Sequence, residues 1–231
     1  MLVLAIDTAL DACAAGVLDT KTSRLIVHES LPMKRGHAEA LMPLIARVMK
    51  AADIAFAALD RIAVTTGPGS FTGLRVGLSA ARGIALAANK PAVGVTTLTA
   101  YAAPVVSENG QHPVISAIDA RHDHVYFQAV SGNGSTLIQP RVAPIEEALA
   151  ASRFGTPYLV GNAAKLLADR WPEHAPPVVV DPRPAPDIAW VAWLGAAVSP
   201  NTAPARPYYL RAPDAKPAGD LLHKALNPSA S

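Results

Sequence analysis

A repeat limits the fold more than any other feature of this chain. Leu2-Val-Leu-Ala-Ile-Asp7 returns as Val114-Ile-Ser-Ala-Ile-Asp119. In both copies an apolar run ends in Ala-Ile-Asp, a short polar turn follows, and a second apolar run begins, over residues 14–18 and 125–130. Short runs rich in Val, Ile and Ala suit buried strands. Two copies of strand–turn–strand in a chain that also carries helical segments predict a duplicated α/β architecture of two lobes. The division falls near residues 104–111, giving an N-terminal lobe over residues 1–105 and a C-terminal lobe over residues 106–231.

Within the first copy, strands are expected at residues 2–6, 13–18 and 25–31. A helix follows over residues 37–53, because Leu41, Leu44, Ile45, Val48, Met49 and Ala52 recur at three- and four-residue spacing. Pro43 lies in its early turns, where a missing N–H costs least. A strand over residues 61–66 then runs into Gly67-Pro-Gly-Ser-Phe-Thr-Gly-Leu-Arg-Val-Gly77, an Ala-rich helix to residue 89, and a strand over 92–95. Eleven of the 21 prolines fall between Pro172 and Pro217, so elements there must be short, apart from a helix near residues 187–198. Residues 225–231 read as a frayed tail.

Hydrophobic residues make up 51% of the 231 and aromatics only 5%, so the core must be mainly aliphatic. A net charge of +2, with no dense Lys/Arg cluster and no aromatic–basic interleaving, argues against a dedicated nucleic-acid binder. Cys13, the only cysteine, leaves no intrachain disulfide and no cysteine-based metal site. The N-terminal residues carry no basic leader. The longest apolar stretch, residues 78–95, is broken by Arg82, Asn89, Lys90 and Pro91. A soluble, cytoplasmic protein is expected, with no membrane contact.

Strand, glycine-rich turn and helix can hold a phosphate on helix N-terminal amides. However, the glycines at 67, 69 and 73 do not spell G-x-G-x-x-G, and no Lys-Ser/Thr follows them. The alternative is a tight turn whose glycines serve close packing. Beyond the turn, Gly73, Gly77 and Ala81 form a strip of little bulk, suited either to the chain's own sheet and first helix or to another subunit. Glycines inside a helix cost about 1 kcal/mol each, which close packing must offset. Asp7 and Asp119 end equivalent strands and could face Mg-nucleotide between lobes, or could cap their turns. Neither is followed by the glycine that close phosphate approach requires. His122 and His124 could form a metal pair or mark a hairpin tip. His37 could be a base or a helix-start surface histidine. Ser70 has no base visible in sequence.

Ile6-Asp7-Thr8, Arg35-Gly-His-Ala-Glu39, the Gly67–Gly77 segment, Ala117-Ile-Asp-Ala-Arg121 and Pro207-Tyr-Tyr-Leu-Arg211 resemble, in this order, the TsaB/YeaZ family. The resemblance implies the duplicated actin-like fold of the Hsp70 and sugar-kinase type. It implies a non-catalytic subunit of the bacterial complex that makes N6-threonylcarbamoyladenosine in tRNA. Such a subunit pairs with the catalytic relative TsaD, the ATPase TsaE docks across the pair, and tRNA is engaged only indirectly. Homodimers through the same surface are also implied. In TsaD the strand after the helix runs into two metal-binding histidines; Thr97 and Tyr101 stand there in this chain, neither suited to a transition metal. No catalytic residue, cofactor or metal is therefore expected, which disfavours both a metallopeptidase and an independent ATP-binding enzyme. The family pairs through the two helices around the glycine-rich turn. The expected contact residues are Gly73, Leu74, Gly77, Ala80, Ala81 and Ile84, with His37 and Leu41 on the preceding helix. On this reading Gly77→Leu weakens the pair while the monomer stays folded.

Overall fold

The computed structural model describes residues 1–211; the tail expected at residues 225–231 lies outside the described residues. The first lobe opens with β1 (Leu2–Asp7), β2 (Ala12–Asp19) and β3 (Arg24–Pro32), each antiparallel to the one before. Next come α1 (His37–Ala52), β4 (Arg61–Gly67), α2 (Phe71–Ala88), β5 (Ala92–Thr96) and α3 (Thr97–Asn109). β4 pairs with β1 and β5 with β4, both in parallel, so the sheet reads β3-β2-β1-β4-β5.

The second lobe repeats this plan. It holds β6 (Val114–Arg121), β7 (His124–Val130), β8 (Thr136–Pro144), α4 (Ile145–Leu149), β9 (Tyr158–Val160), α5 (Ala164–Ala168) and β10 (Val179–Asp181). Its sheet runs β8-β7-β6-β9-β10, with antiparallel and parallel pairs in the same places. The Ala-Ile-Asp echo therefore stands on the two equivalent central strands, β1 and β6.

Burial explains the patterning. β1, β2 and β4 are buried almost end to end, because helices cover both faces of the first sheet, and they read as continuous apolar runs. The edge strand β3 alternates exposed and half-buried residues instead. Helix α1 buries Leu41, Leu44, Ile45, Val48 and Met49, and α2 buries Leu74, Leu78, Ala81, Ile84 and Ala85. Together they cover Leu4, Ile6, Ile62 and Val64 on one face of the sheet. Each Leu or Ile buried this fully contributes about 1.5–3 kcal/mol. Helix ends follow local chemistry: the Ser70 and Thr96 hydroxyls accept from the third residue of α2 and α3, while Asp53 and Asn89 end α1 and α2 in the left-handed region. Leu98, Tyr101 and Ala102 of α3 pack with Val114, Ile118 and Val160, so one apolar cluster runs from the first lobe into the second. A separate second-lobe core forms around Ile115, Phe127, Ile145, Leu159 and Leu167.

One expectation changes. The C-terminal lobe does not hold all of residues 106–231, because after β10 the chain returns to the first lobe. Helix α6 (Ile188–Ala197) packs Ile188, Val191 and Ala192 on Val3, Ala5, Ala63 and Val93, the face of the first sheet that α1 and α2 leave open. Its sequence is apolar all round, as suits a helix buried on more than one side. Gly195 lies so close to Ala63 that a Cβ there has no space. One guanidinium nitrogen of Arg61, Nη1, donates to the carbonyls of Gly195, Ala196 and Val198 at 2.8, 3.1 and 2.6 Å, capping the helix end. The return continues through Gly94 N–H to Ala203 O (2.9 Å) and Tyr208 N–H to Thr66 O (2.8 Å).

Candidate functional site

The interlobe cleft lies where the β1–β2 turn, the start of α2 and the β6–β7 hairpin meet. A cavity of about 500 Å³ there is lined by Asp11, Ser70, Phe71, Asp119, Arg121 and Asn162, among others. Asp7 and Asp119 occupy equivalent strand ends and make the same turn-capping bond. Asp7 Oδ1 accepts from Ala9 N–H (3.0 Å), and Asp119 Oδ1 from Arg121 N–H (2.7 Å). Their surroundings differ. Asp119 is exposed beside Asn162, whose Oδ1 accepts its backbone N–H at 2.9 Å. Asp7 is wholly buried; its Oδ1 also accepts from the Thr65 hydroxyl at 2.6 Å and its Oδ2 has no partner. Burial holds its carboxyl above the usual range, against the opposing pull of the Thr65 bond.

The glycine-rich turn seals Asp7 in. The Ser70 amide donates to Ala9 O at 2.7 Å, and the Thr8 hydroxyl to Gly73 O at 2.7 Å. A Cβ on Gly69 would collide with Ala9 O, on Gly73 with Thr8 O, and on Gly77 with Thr8 Oγ1. These glycines let α2 lie directly on the β1–β2 turn. The Ser70, Gly73 and Leu74 amides are taken by the chain itself, and the Asp7 carboxyl is wholly buried beneath the turn. The independent ATP-binding reading loses its first residue on this geometry.

The same observation places most of the expected contact strip inside the single chain. Gly73, Leu74, Gly77, Ala81 and Ile84 face inward and are buried within the single chain, as is Leu41. His37 is buried as well, its Nε2 3.0 Å from Leu10 O, where it must carry the proton and donate. It pins the start of α1 to the β1–β2 turn and is not a surface histidine. Of the named residues only Ala80 is partly open. The small residues do mark a close approach, but to Thr8 and Ala9. Gly77→Leu would therefore disrupt the monomer. The outer face of the helix pair carries other residues. Ala38, Met42 and Ala46 on α1 are exposed, and on α2 Val76 and Ala80 are half-buried and Gly83 exposed. The two rows meet where Ala38 and Val76 line one cavity. Met42 is 49% exposed, and a Cβ on Gly83 would meet nothing within 4 Å.

Thr97 is fully buried with its hydroxyl unpaired, and Tyr101 donates its hydroxyl to Arg183 O at 2.9 Å. Burial pushes the Tyr101 hydroxyl far up, so it stays protonated. His122 and His124 sit at a hairpin tip where Arg121, His122 and Asp123 adopt left-handed φ. Among the described residues, no group of three or more His, Cys, Asp or Glu is placed to hold a metal ion, and no helix is long and apolar enough to cross a membrane.

A further surface was not visible in sequence. Phe71 and Tyr209 pack with ring centroids 5.8 Å apart and planes tilted by 34°, and the Arg75 guanidinium lies 3.6 Å from the Phe71 centroid. Against the expectation of no aromatic–basic interleaving, Arg206-Pro-Tyr-Tyr-Leu-Arg211 sets two tyrosines between arginines, and this short run could have pointed to it.

Two sheets of equal order, joined by α3 and facing each other across a cleft, are the architecture of the actin-like fold. The family model described as TsaD, tRNA N6-adenosine threonylcarbamoyltransferase, matches residues 30–177. The chain belongs to the TsaB/YeaZ family. It is 36% identical over 127 residues to the tRNA threonylcarbamoyladenosine biosynthesis protein TsaB of Escherichia coli, covering 55% of this chain and 54% of that one. The aligned stretch thus spans about half the length of that relative. An uncharacterized protein of Mycobacterium tuberculosis is 34% identical over 221 residues, 93% of this chain and 94% of its own. The solved structure of YeaZ from Pseudomonas aeruginosa superposes with a TM-score of 0.74 at 29% identity, covering 90% of this chain and 99% of that one.

Proposed function

We propose that this chain is a non-catalytic partner subunit in the formation of N6-threonylcarbamoyladenosine in tRNA. It pairs with a TsaD-type catalytic subunit and helps recruit a TsaE-type ATPase. The observation that carries the reading is Gly83. Gly69, Gly73 and Gly77 have internal reasons to be glycine, whereas Gly83 stands exposed in the middle of α2 with open space around it. A helical glycine costs about 1 kcal/mol relative to alanine. Close approach of a second helix across Val76, Ala80, Gly83, Ala38, Met42 and Ala46 gives that cost a return. This face replaces the inward strip as the contact surface, and a homodimer through it is the self-complementary version of the same contact. The sealed Asp7 supports a subunit that supplies a surface and leaves chemistry to its partner. Reconstituted threonylcarbamoyl transfer should fall to background without this chain. Met42→Asp should abolish co-elution with the TsaD-type subunit while leaving the melting temperature of the isolated chain unchanged. Undiminished transfer without the chain overturns the function, and unchanged co-elution of the variant overturns the face.

A further inference from the structure

The rim of the cleft carries a second surface that pairing through α1 and α2 does not use. Phe71, at the first turn of α2, is 45% exposed, and Tyr209, from the returning segment, is 44% exposed. Arg75 lies one turn on, its guanidinium carbon 3.6 Å from the centroid of the Phe71 ring. The guanidinium, Phe71 and Tyr209 thus form one exposed aromatic–basic cluster. Beside it, Tyr126 and Arg211 line one cavity with Tyr209, and Tyr126 and Arg121 line the adjoining one with Phe71. Arg121 is held outward by the left-handed turn at the hairpin tip. Residues from α2, the β6–β7 hairpin and the C-terminal return thus converge on one rim.

We infer that this rim binds unpaired nucleotides of RNA, with bases stacking on the Phe71–Tyr209–Arg75 platform and phosphates meeting Arg75, Arg121 and Arg211. Aromatic rings and guanidinium planes are the groups on which splayed-out bases stack. Arg75 and Arg211 lie beside the platform and match a negative backbone there, whereas the adjoining cavity sets Arg121 against two carboxylates, Asp11 and Asp119, and offers a phosphate less. That distribution favours a strand lying across the rim over a nucleotide inserted in the cleft. Tyr, Phe and Arg are also enriched in protein contacts; three arginines around exposed aromatic rings favour RNA, whose phosphates and unpaired bases both find partners there. The inference rests on the proposed role in tRNA modification, and it replaces the indirect contact with tRNA expected from sequence.

The test is fluorescence anisotropy of the full chain with two labelled RNAs, a stem-loop with an unpaired loop and a blunt duplex of equal length. The stem-loop should bind more tightly, with salt-sensitive affinity. Tyr209→Ala and Phe71→Ala should each weaken binding about tenfold, Tyr209→Phe should restore it, and Arg75→Gln should lower the slope of log affinity against log salt by about 0.7. Unchanged melting temperatures show that the variants fold. Equal binding of duplex and stem-loop, or wild-type affinity of Tyr209→Ala, overturns the inference. So does loss of association with the TsaD-type or TsaE-type protein in Tyr209→Ala while RNA affinity is retained, since the rim is then a protein contact. RNA binding is read on the isolated chain. If it fails while reconstituted transfer still requires the chain, the rim assignment falls and the proposed function stands.

Discussion

Gly73 and Gly83 lie ten residues apart on one helix and should respond to the same substitution in opposite directions. Replacing either by alanine removes backbone freedom from the unfolded chain, a gain of up to about 1 kcal/mol. At Gly83 nothing opposes the gain, because the new methyl meets open space. At Gly73 the new Cβ falls closer than 3.0 Å to the Thr8 carbonyl oxygen, a backbone atom that cannot rotate away. Helix α2 must lift from the β1–β2 turn, straining the core by roughly 1–3 kcal/mol. The lift breaks the buried bond from the Thr8 hydroxyl to Gly73 O, a further cost of about 1–2 kcal/mol. Setting the propensity gain against these, Gly73→Ala should lose about 1–4 kcal/mol. For a chain of this size that lowers the melting temperature by roughly 2–16 °C, whereas Gly83→Ala should raise it by about 2–4 °C. Melts followed by circular dichroism on the isolated chain measure both. A Gly73→Ala protein as stable as the parent would refute the claim that glycine is kept there for contact with Thr8. A destabilised Gly83→Ala protein would refute the claim that Gly83 has no internal role.

Two further outcomes follow from buried polar groups. The folded-state pKa of Asp7 is raised, so the folded chain binds its proton more tightly than the unfolded chain, and the carboxyl's contribution to stability declines as pH rises from about 4. The stability of Asp7→Asn relative to the parent should therefore increase between acid and neutral pH, and a difference flat across melts over that range would contradict the assignment. Arg61→Met should lose about 2–3 kcal/mol in urea unfolding, because three carbonyls at the end of α6 lose their charged donor; an unchanged midpoint would show that solvent replaces it at no cost.

The duplicated plan was legible because its signal is local: Ala-Ile-Asp before a turn, on strands buried on both faces, leaves the same trace twice. The glycines announced a close approach but not its target. Whether the neighbour is Thr8 or another subunit depends on how α2 rolls on the sheet, which no spacing records. His37 looked exposed because its partner, Leu10 O, is 27 residues away. The return of α6 was hidden for a similar reason, since an apolar helix after a proline-rich stretch does not say which sheet face still lacks cover. The platform at Phe71 and Tyr209 needed both that return and the roll of α2, so its residues were visible singly but not together.

The returning helix also sets an order of events during synthesis. The face of the first sheet formed by Val3, Ala5, Ala63 and Val93 has no cover until residues 188–197 have left the ribosome. The second-lobe core, drawn from residues 115–171, is complete before then. The first lobe is therefore the last to close, and until it does, an aliphatic sheet face awaits a helix made only after the second lobe. Nascent chains halted before residue 188 should carry that face open, exposing aliphatic surface of the kind that aggregates.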